Sequence, residues 1–93
     1  MCTGPGLVAI RDINPRADTH LLVIPERHID TFRDVGQFTP EETKRMLEFI
    51  AAAARHEGLE DYRVLLNVGE GGGQTIFHLH WHVLGGHVMG LPA

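Results

Sequence analysis

The run Phe77-His78-Leu79-His80-Trp81-His82-Val83-Leu84 places a histidine at every second position of an otherwise apolar stretch. In an extended chain this puts His78, His80 and His82 on one face and Phe77, Leu79, Trp81 and Val83 on the other. Successive histidine Cα atoms then lie about 6–7 Å apart. The apolar face can pack on a core, while the other presents a row of imidazoles able to accept a proton, donate one or attack an electrophile. A single histidine on a strand is ordinarily structural. Alternating ones crowd each other, and each ring needs its own hydrogen-bond partner, so a purely structural role explains the row poorly.

Two chemical uses compete. Neutral imidazole is a common metal ligand, and the ring nitrogens of the row suit zinc. The same row suits phosphoryl or nucleotidyl transfer. The glycine-rich stretch at residues 69–73 lies just upstream, where backbone N–H groups could cradle phosphate oxygens. Gln74 and Thr75 join that loop to the histidines. No carboxylate or cysteine lies near the triad in sequence to complete a metal site, so no metal and no other cofactor is expected.

The elements that must position these residues follow from pattern. Residues 7–10 read as a short apolar strand, and Asp12-Ile13-Asn14-Pro15 follows with turn chemistry. Residues 20–24 form a second strand, expected to be buried on both faces because Leu21, Leu22, Val23 and Ile24 run unbroken until Pro25. Thr39-Pro40-Glu41-Glu42 combines a capping threonine, a first-turn proline and a glutamate placed for a capping box. Met46, Leu47, Ile50, Ala53 and Ala54 then recur at helical spacing, and Gly58 supplies an end. Residues 62–67 make a third strand and residues 76–84 a fourth. The expected class is α+β, a mostly antiparallel sheet with one long helix packed on it.

The 93 residues suggest one domain, 1–93, with neither a repeat nor a linker long enough to divide it. The formal charge of −4 argues against tracking a long nucleic acid, though not against a small anion at a focused site. No apolar run is long enough to span a bilayer, so no membrane partner is expected. The opening residues do not read as a signal peptide. A lone cysteine, Cys2, excludes a disulfide framework within one chain and fits a reducing, cytoplasmic-type location.

The stretch from Gly73 to Gly86, with its His-φ-His-φ-His-φ-φ pattern (φ apolar), resembles the signature of histidine triad proteins. Asp12-Ile13-Asn14-Pro15, Thr19-His20-Leu21-Leu22-Val23-Ile24-Pro25 and His28-Ile29 are similar to the same family, so the likeness covers nearly the whole chain. The Gly85-Gly86 pair after the triad resembles the Hint branch, the histidine triad nucleotide-binding proteins. Fhit-like dinucleotide hydrolases typically carry Pro-Arg there, and galactose-1-phosphate uridylyltransferases a His-Pro-His core. The resemblance implies a hydrolase of purine nucleoside phosphoramidates or acyl nucleotides that works through a nucleotidyl-histidine intermediate.

In that scheme His80 is the nucleophile, with its other ring nitrogen hydrogen-bonded so that the ring stays neutral. His78 and His20 orient it and relay protons, and His82 contacts the phosphate. Asn67, Gly73 and Gln74 belong to the phosphate end of the nucleotide site. Thr75 reaches the leaving group, Asp12 accepts from the ribose hydroxyls, and Ile13 packs beside the sugar or base. Bland roles stand beside these: Asp12 and Asn67 as local caps, Thr75 as a strand former, His20 as a core histidine. His28, His56 and His87 read as surface or structural residues.

Against the family pattern, the chain is expected to lack the usual N-terminal segment, including a hairpin that helps to build the purine pocket. Residues 2–6 offer no substitute apolar wall, and the strand at residues 7–10 is expected to present an unpaired edge. The resemblance implies a homodimer through the long helix and a neighbouring strand. It also implies a tail, residues 89–93, reaching the partner's site, with Leu91 where tryptophan is common. Alternatives are a nucleotide-binding or scaffold protein with little catalysis, and a histidine-based metal-binding module.

Overall fold

Thr39 caps the long helix as its neighbours require. Its hydroxyl accepts from the Glu42 amide at 3.1 Å, and the Glu42 carboxylate accepts from the Thr39 amide at 2.8 Å. The computed structural model, which describes residues 2–88, places helix α1 at Pro40–His56, with Gly58 in the left-handed region just beyond it. Met46, Ile50, Ala53 and Ala54 form its buried stripe, whereas Leu47 is half exposed and Phe49 packs partly in its place. Strands β1 (Cys2–Gly4), β2 (Leu7–Arg11), β3 (Ala17–Pro25), β4 (Arg63–Leu65) and β5 (Trp81–Val88) make one antiparallel sheet in the order β1-β2-β3-β5-β4. The α+β class stands.

The sheet has two differently used faces. Leu7 and Ala9 of β2, Leu21 and Val23 of β3, and Val83 of β5 point into a core closed by α1, Ile29, Phe38 and Leu79. Ile10, His20, Leu22, Leu65 and His82 share the opposite face, because the register pairs Ile10 with Leu22, Leu22 with His82, and Leu65 with His82. Strand β3 is thus fully buried on one face only. Leu22 and Ile24 are half-buried, since the second face is left for the site.

Three expectations change. Residues 2–4 form a strand that the sequence reading left out, and they pair with the edge of β2 that was expected to be free. Pro5-Gly6 turns the chain, with Gly6 at φ 75°. The third strand is cut back from residues 62–67 to Arg63–Leu65. The fourth begins at Trp81, not at residue 76. Val23 pairs with Trp81, so Pro25 would be next opposite Leu79, and proline has no N–H to continue the ladder. Leu79 donates instead to the Ile29 carbonyl at 2.6 Å, and its side chain still reaches the core.

Beyond the triad, a register shift between Ala17 and Thr19 marks an irregularity opposite Gly85 and Gly86. Gly86 sits at φ 80°, where any Cβ would lie 2.6 Å from the Asp18 carboxylate that accepts the His87 amide. Residues 89–93, expected to form the tail, lie outside the described residues.

Removing the capping hydroxyl strands helix N–H groups without touching the site. Thr39→Ala is expected to lower unfolding stability by about 1 kcal/mol in urea titration.

Candidate active site

The triad residues reach one neighbourhood by different routes. His82 stands in β5 between Leu22 and Leu65. His78 and His80 precede the strand, in the segment that Pro25 excludes from the ladder. The His80 ring lies edge-on to that of His82, centroids 5.2 Å apart, and His82 lies 5.1 Å from His20. The order along the row is therefore His80, His82, His20.

Hydrogen-bond partners assign the protons. His80 Nδ1 lies 2.8 Å from the His78 carbonyl, which can only accept, so Nδ1 carries the proton and Nε2 keeps its lone pair. The Arg16 amide donates to His20 Nδ1 at 3.0 Å. His20 must then carry its proton on Nε2, which faces His82 Nδ1 at 2.9 Å. His82 in turn keeps its proton on Nε2, and that N–H is buried with no acceptor among the described residues.

Electrostatics agree with neutral rings. Burial, then the neighbouring His80 and His20, push His82 down to about 4 against a weaker pull from Asp12. Burial also lowers His20, with Asp12 opposing and Arg16 adding to the effect. Asp12 does two things at once. One carboxylate oxygen accepts from the Asn14 amide at 2.9 Å, and the other lies 3.5 Å from His20 Nε2.

A cleft of about 450 Å³ runs along this row. Asp12, Ile13, Asn67, Gly73, Thr75, His80 and His82 line it together, so seven of the residues singled out in the sequence converge. His20 stands behind His82. Two others lie apart. The His78 ring turns away, with Nε2 at 2.8 Å from the Pro25 carbonyl and an edge contact to His28 at 4.7 Å, so it meets His80 through its carbonyl rather than its ring. Gln74 is buried: its side chain accepts from the Gly69 amide and donates to the carbonyls of Asp30 and Ile76. It pins the loop, the segment after β3 and the triad segment to one another.

The glycine loop also differs from expectation. Its tight turn uses the amides of Gly72, Gly73 and Gln74 on the carbonyls of Gly69 and Glu70, and the Gly69 amide on Gln74. These four N–H groups are internally satisfied and are not open to a phosphate. Ile10, Leu22, Asn14 and Ile76 line the cleft without having been singled out. Alternation was the signal for two of them, since Ile10 precedes Asp12 and Leu22 follows His20 by one strand period. As for a metal, the triad rings do not converge. The group that does, Asp12, His20 and His82, has its ligand atoms within 4.8 Å of one another, with His20 and His82 already hydrogen-bonded together.

A model of the HIT domain matches residues 2–89. The chain belongs to the HIT (histidine triad) family. Among its HIT relatives, the purine nucleoside phosphoramidase of Escherichia coli (strain K12) is 40% identical over 86 residues, which cover 90% of this chain and 72% of that protein. The crystal structure of a HIT family hydrolase from Legionella pneumophila Philadelphia 1 superposes with a TM-score of 0.88 at 41% identity, covering 99% of this chain and 84% of that one. A HIT family hydrolase from Clostridium thermocellum gives a TM-score of 0.86 at 34% identity, with 98% and 81% covered.

The depressed pKa values carry a pH signature. Below the ordinary histidine value of 6.5, the unfolded chain takes up a proton on His82 that the folded chain refuses until about 4, so this ring costs stability as pH falls through that window. His20 acts in the same direction. His82→Asn is expected to flatten the decline of Tm between those pH values. An unchanged slope in thermal melts would mean that the ring is not held neutral.

Proposed function

We propose that this chain is a nucleotidyl hydrolase acting on purine nucleoside phosphoramidates through a nucleotidyl-histidine intermediate. The reading rests above all on two rings of opposite capacity that line one cleft: His80, whose Nε2 keeps a lone pair, and His82, whose Nε2 carries an N–H with no partner among the described residues. A nucleophile and an oxyanion donor are what displacement at phosphorus requires. The E. coli relative's activity supports the substrate class. Ile13 and Ile76, apolar yet 92% and 65% exposed at the cleft, suit the sugar and base of a nucleoside.

In this scheme His80 Nε2 gives its lone pair to the α-phosphorus. The P–N bond breaks with its electron pair on nitrogen, which takes up one proton through the Thr75 hydroxyl and departs as an amine. Water then attacks the nucleotidyl-histidine and loses one proton. The nucleoside monophosphate leaves, the bonding pair returns to His80, and the proton consumed in the first half is regained. His82 and Asn67 hold the phosphate oxygens, and His20 keeps His82 in its donating tautomer. Asp12 receives the ribose hydroxyls with oxygen lone pairs beyond those engaged by Asn14.

The test is hydrolysis of a fluorogenic adenosine phosphoramidate. The wild-type chain should turn it over, and His80→Ala should lose about 10⁴-fold or more in kcat while remaining folded. Equal turnover by the variant would end the proposal. Binding of nucleoside monophosphate without turnover by the wild type would favour a binding protein.

We also propose that the chain works as a homodimer. Strand β4 is an edge of the sheet, and Phe32 and Val64 are each more than two-fifths exposed beside it. With Leu65, Leu66, Val68 and Trp81 they line an open recess of about 380 Å³, and the Trp81 Nε1–H is buried there without an acceptor among the described residues. Val64→Lys is expected to shift the mass seen by analytical ultracentrifugation from dimer to monomer. A wild-type monomer at tens of micromolar would sink this assignment.

A further inference from the structure

The turn between β2 and β3 grips His20 twice. The Asp12 amide donates to its backbone carbonyl at 2.9 Å, and the Arg16 amide donates to its ring Nδ1 at 3.0 Å. Within the turn the Asp12 carboxylate accepts from the Asn14 amide at 2.9 Å, and Pro15 fixes its own φ directly before Arg16. The donor that meets the His20 ring is thus presented by a braced loop. It belongs to the main chain, so the exposed Arg16 side chain has no part in this bond.

Both ends of the His20 ring select the same tautomer. A proton on Nδ1 would face the Arg16 N–H, donor against donor, on a residue only 5% exposed. It would also leave a bare Nε2 facing the Asp12 carboxylate at 3.5 Å. A doubly protonated ring meets the same obstacle at Nδ1. With the proton on Nε2 each of these contacts is favourable, and His82 Nδ1 receives it at 2.9 Å. His82 then holds its own proton on Nε2, which has no partner among the described residues. Without the Arg16 N–H the reversed chain opens, with both protons on Nδ1 and His82 Nε2 bare. A bare nitrogen repels the phosphate oxygens that an N–H would bind.

Resting on the nucleotidyl-transfer reading above, we propose that the backbone N–H of Arg16 is a positioning group for the reaction, keeping His82 a hydrogen-bond donor to the phosphate. It touches no reacting atom and acts through two rings. Replacement of the Arg16 side chain leaves this group in place, so only a change to the main chain removes it.

The test reads proton positions and turnover together. Two-bond 15N–1H NMR tells a protonated ring nitrogen from a bare one, and in the wild type it should find the His20 and His82 protons on Nε2. A synthetic full-length chain with the α-hydroxy acid analogue of arginine at position 16 has an ester oxygen where the N–H stood and keeps the side chain. The ester offers lone pairs in place of a donor, so both protons should move to Nδ1. With the fluorogenic adenosine phosphoramidate, kcat should fall at least about tenfold, towards the roughly 100-fold scale of a lost oxyanion donor, and KM should change far less. Arg16→Ala, which keeps the amide, should show the wild-type 15N pattern and retain more kcat than the ester chain. Structural disturbance alone would not exchange protons between these nitrogens. A wild-type His20 proton on Nδ1, or protons that stay on Nε2 in the ester chain, would overturn the proposal. So would moved protons with kcat within about twofold of wild type, or an equal loss in Arg16→Ala. If the wild type shows no turnover, the nucleotidyl-transfer reading fails and the positioning role fails with it.

Discussion

A single backbone N–H, that of Arg16, decides where the protons lie on two rings. By donating to His20 Nδ1 it forces the His20 proton onto Nε2, and that proton in turn makes His82 a donor at its far nitrogen. Without it, either ring could adopt either tautomer and the cleft would face an acceptor as often as a donor. The bond is local, four residues apart in sequence, and the turn that begins at Asp12 sets its geometry. Asp12 therefore serves both as a cap for Asn14 and as a carboxylate beside the relay.

The remaining architecture supports that arrangement at a distance. The α1 face closes one side of the sheet with aliphatic packing, so the other side can hold polar rings without a second layer. Burial then keeps the rings neutral, because an imidazolium in that environment would lose its hydration without gaining a full counter-charge. Gln74 contributes from within. As a buried amide whose side-chain hydrogen bonds among the described residues all go to backbone, it ties the glycine turn to the segment that carries His80.

Much of this was legible in the residues. The capping box, the helix stripe and the β2–β3 pairing follow from spacing and turn chemistry, and the period of two brought His82, Leu22 and Ile10 to one face. Where the reading failed, a tertiary partner overrode local pattern. The alternation at residues 76–80 looks like strand, yet the strand opposite ends in a proline. Leu79 accordingly bonds to Ile29, and His78 to Pro25. The glycine run looks like a phosphate cradle, but the amides of Gly69, Gly72 and Gly73 are taken by Gln74 and the turn carbonyls. The strand at residues 2–4 is too short for periodicity to reveal, and only Pro5-Gly6 hinted at it. Arg16 gave no signal at all, since its part is played by a backbone amide.

Ending the ladder at Pro25 also divides the site mechanically. His20 and His82 belong to central strands whose hydrogen bonds open only with the sheet, whereas His80 rides on a segment tied to the loop after β3 by a few separate bonds. These are different cooperative units, and such units open at different free energies. The His20–His82 pair is thereby held in the sheet while His80 sits in a unit that opens separately. In the proposed reaction, His80 moves with that separately opening segment without breaking a ladder bond, and the rings that define the proton positions stay where they are.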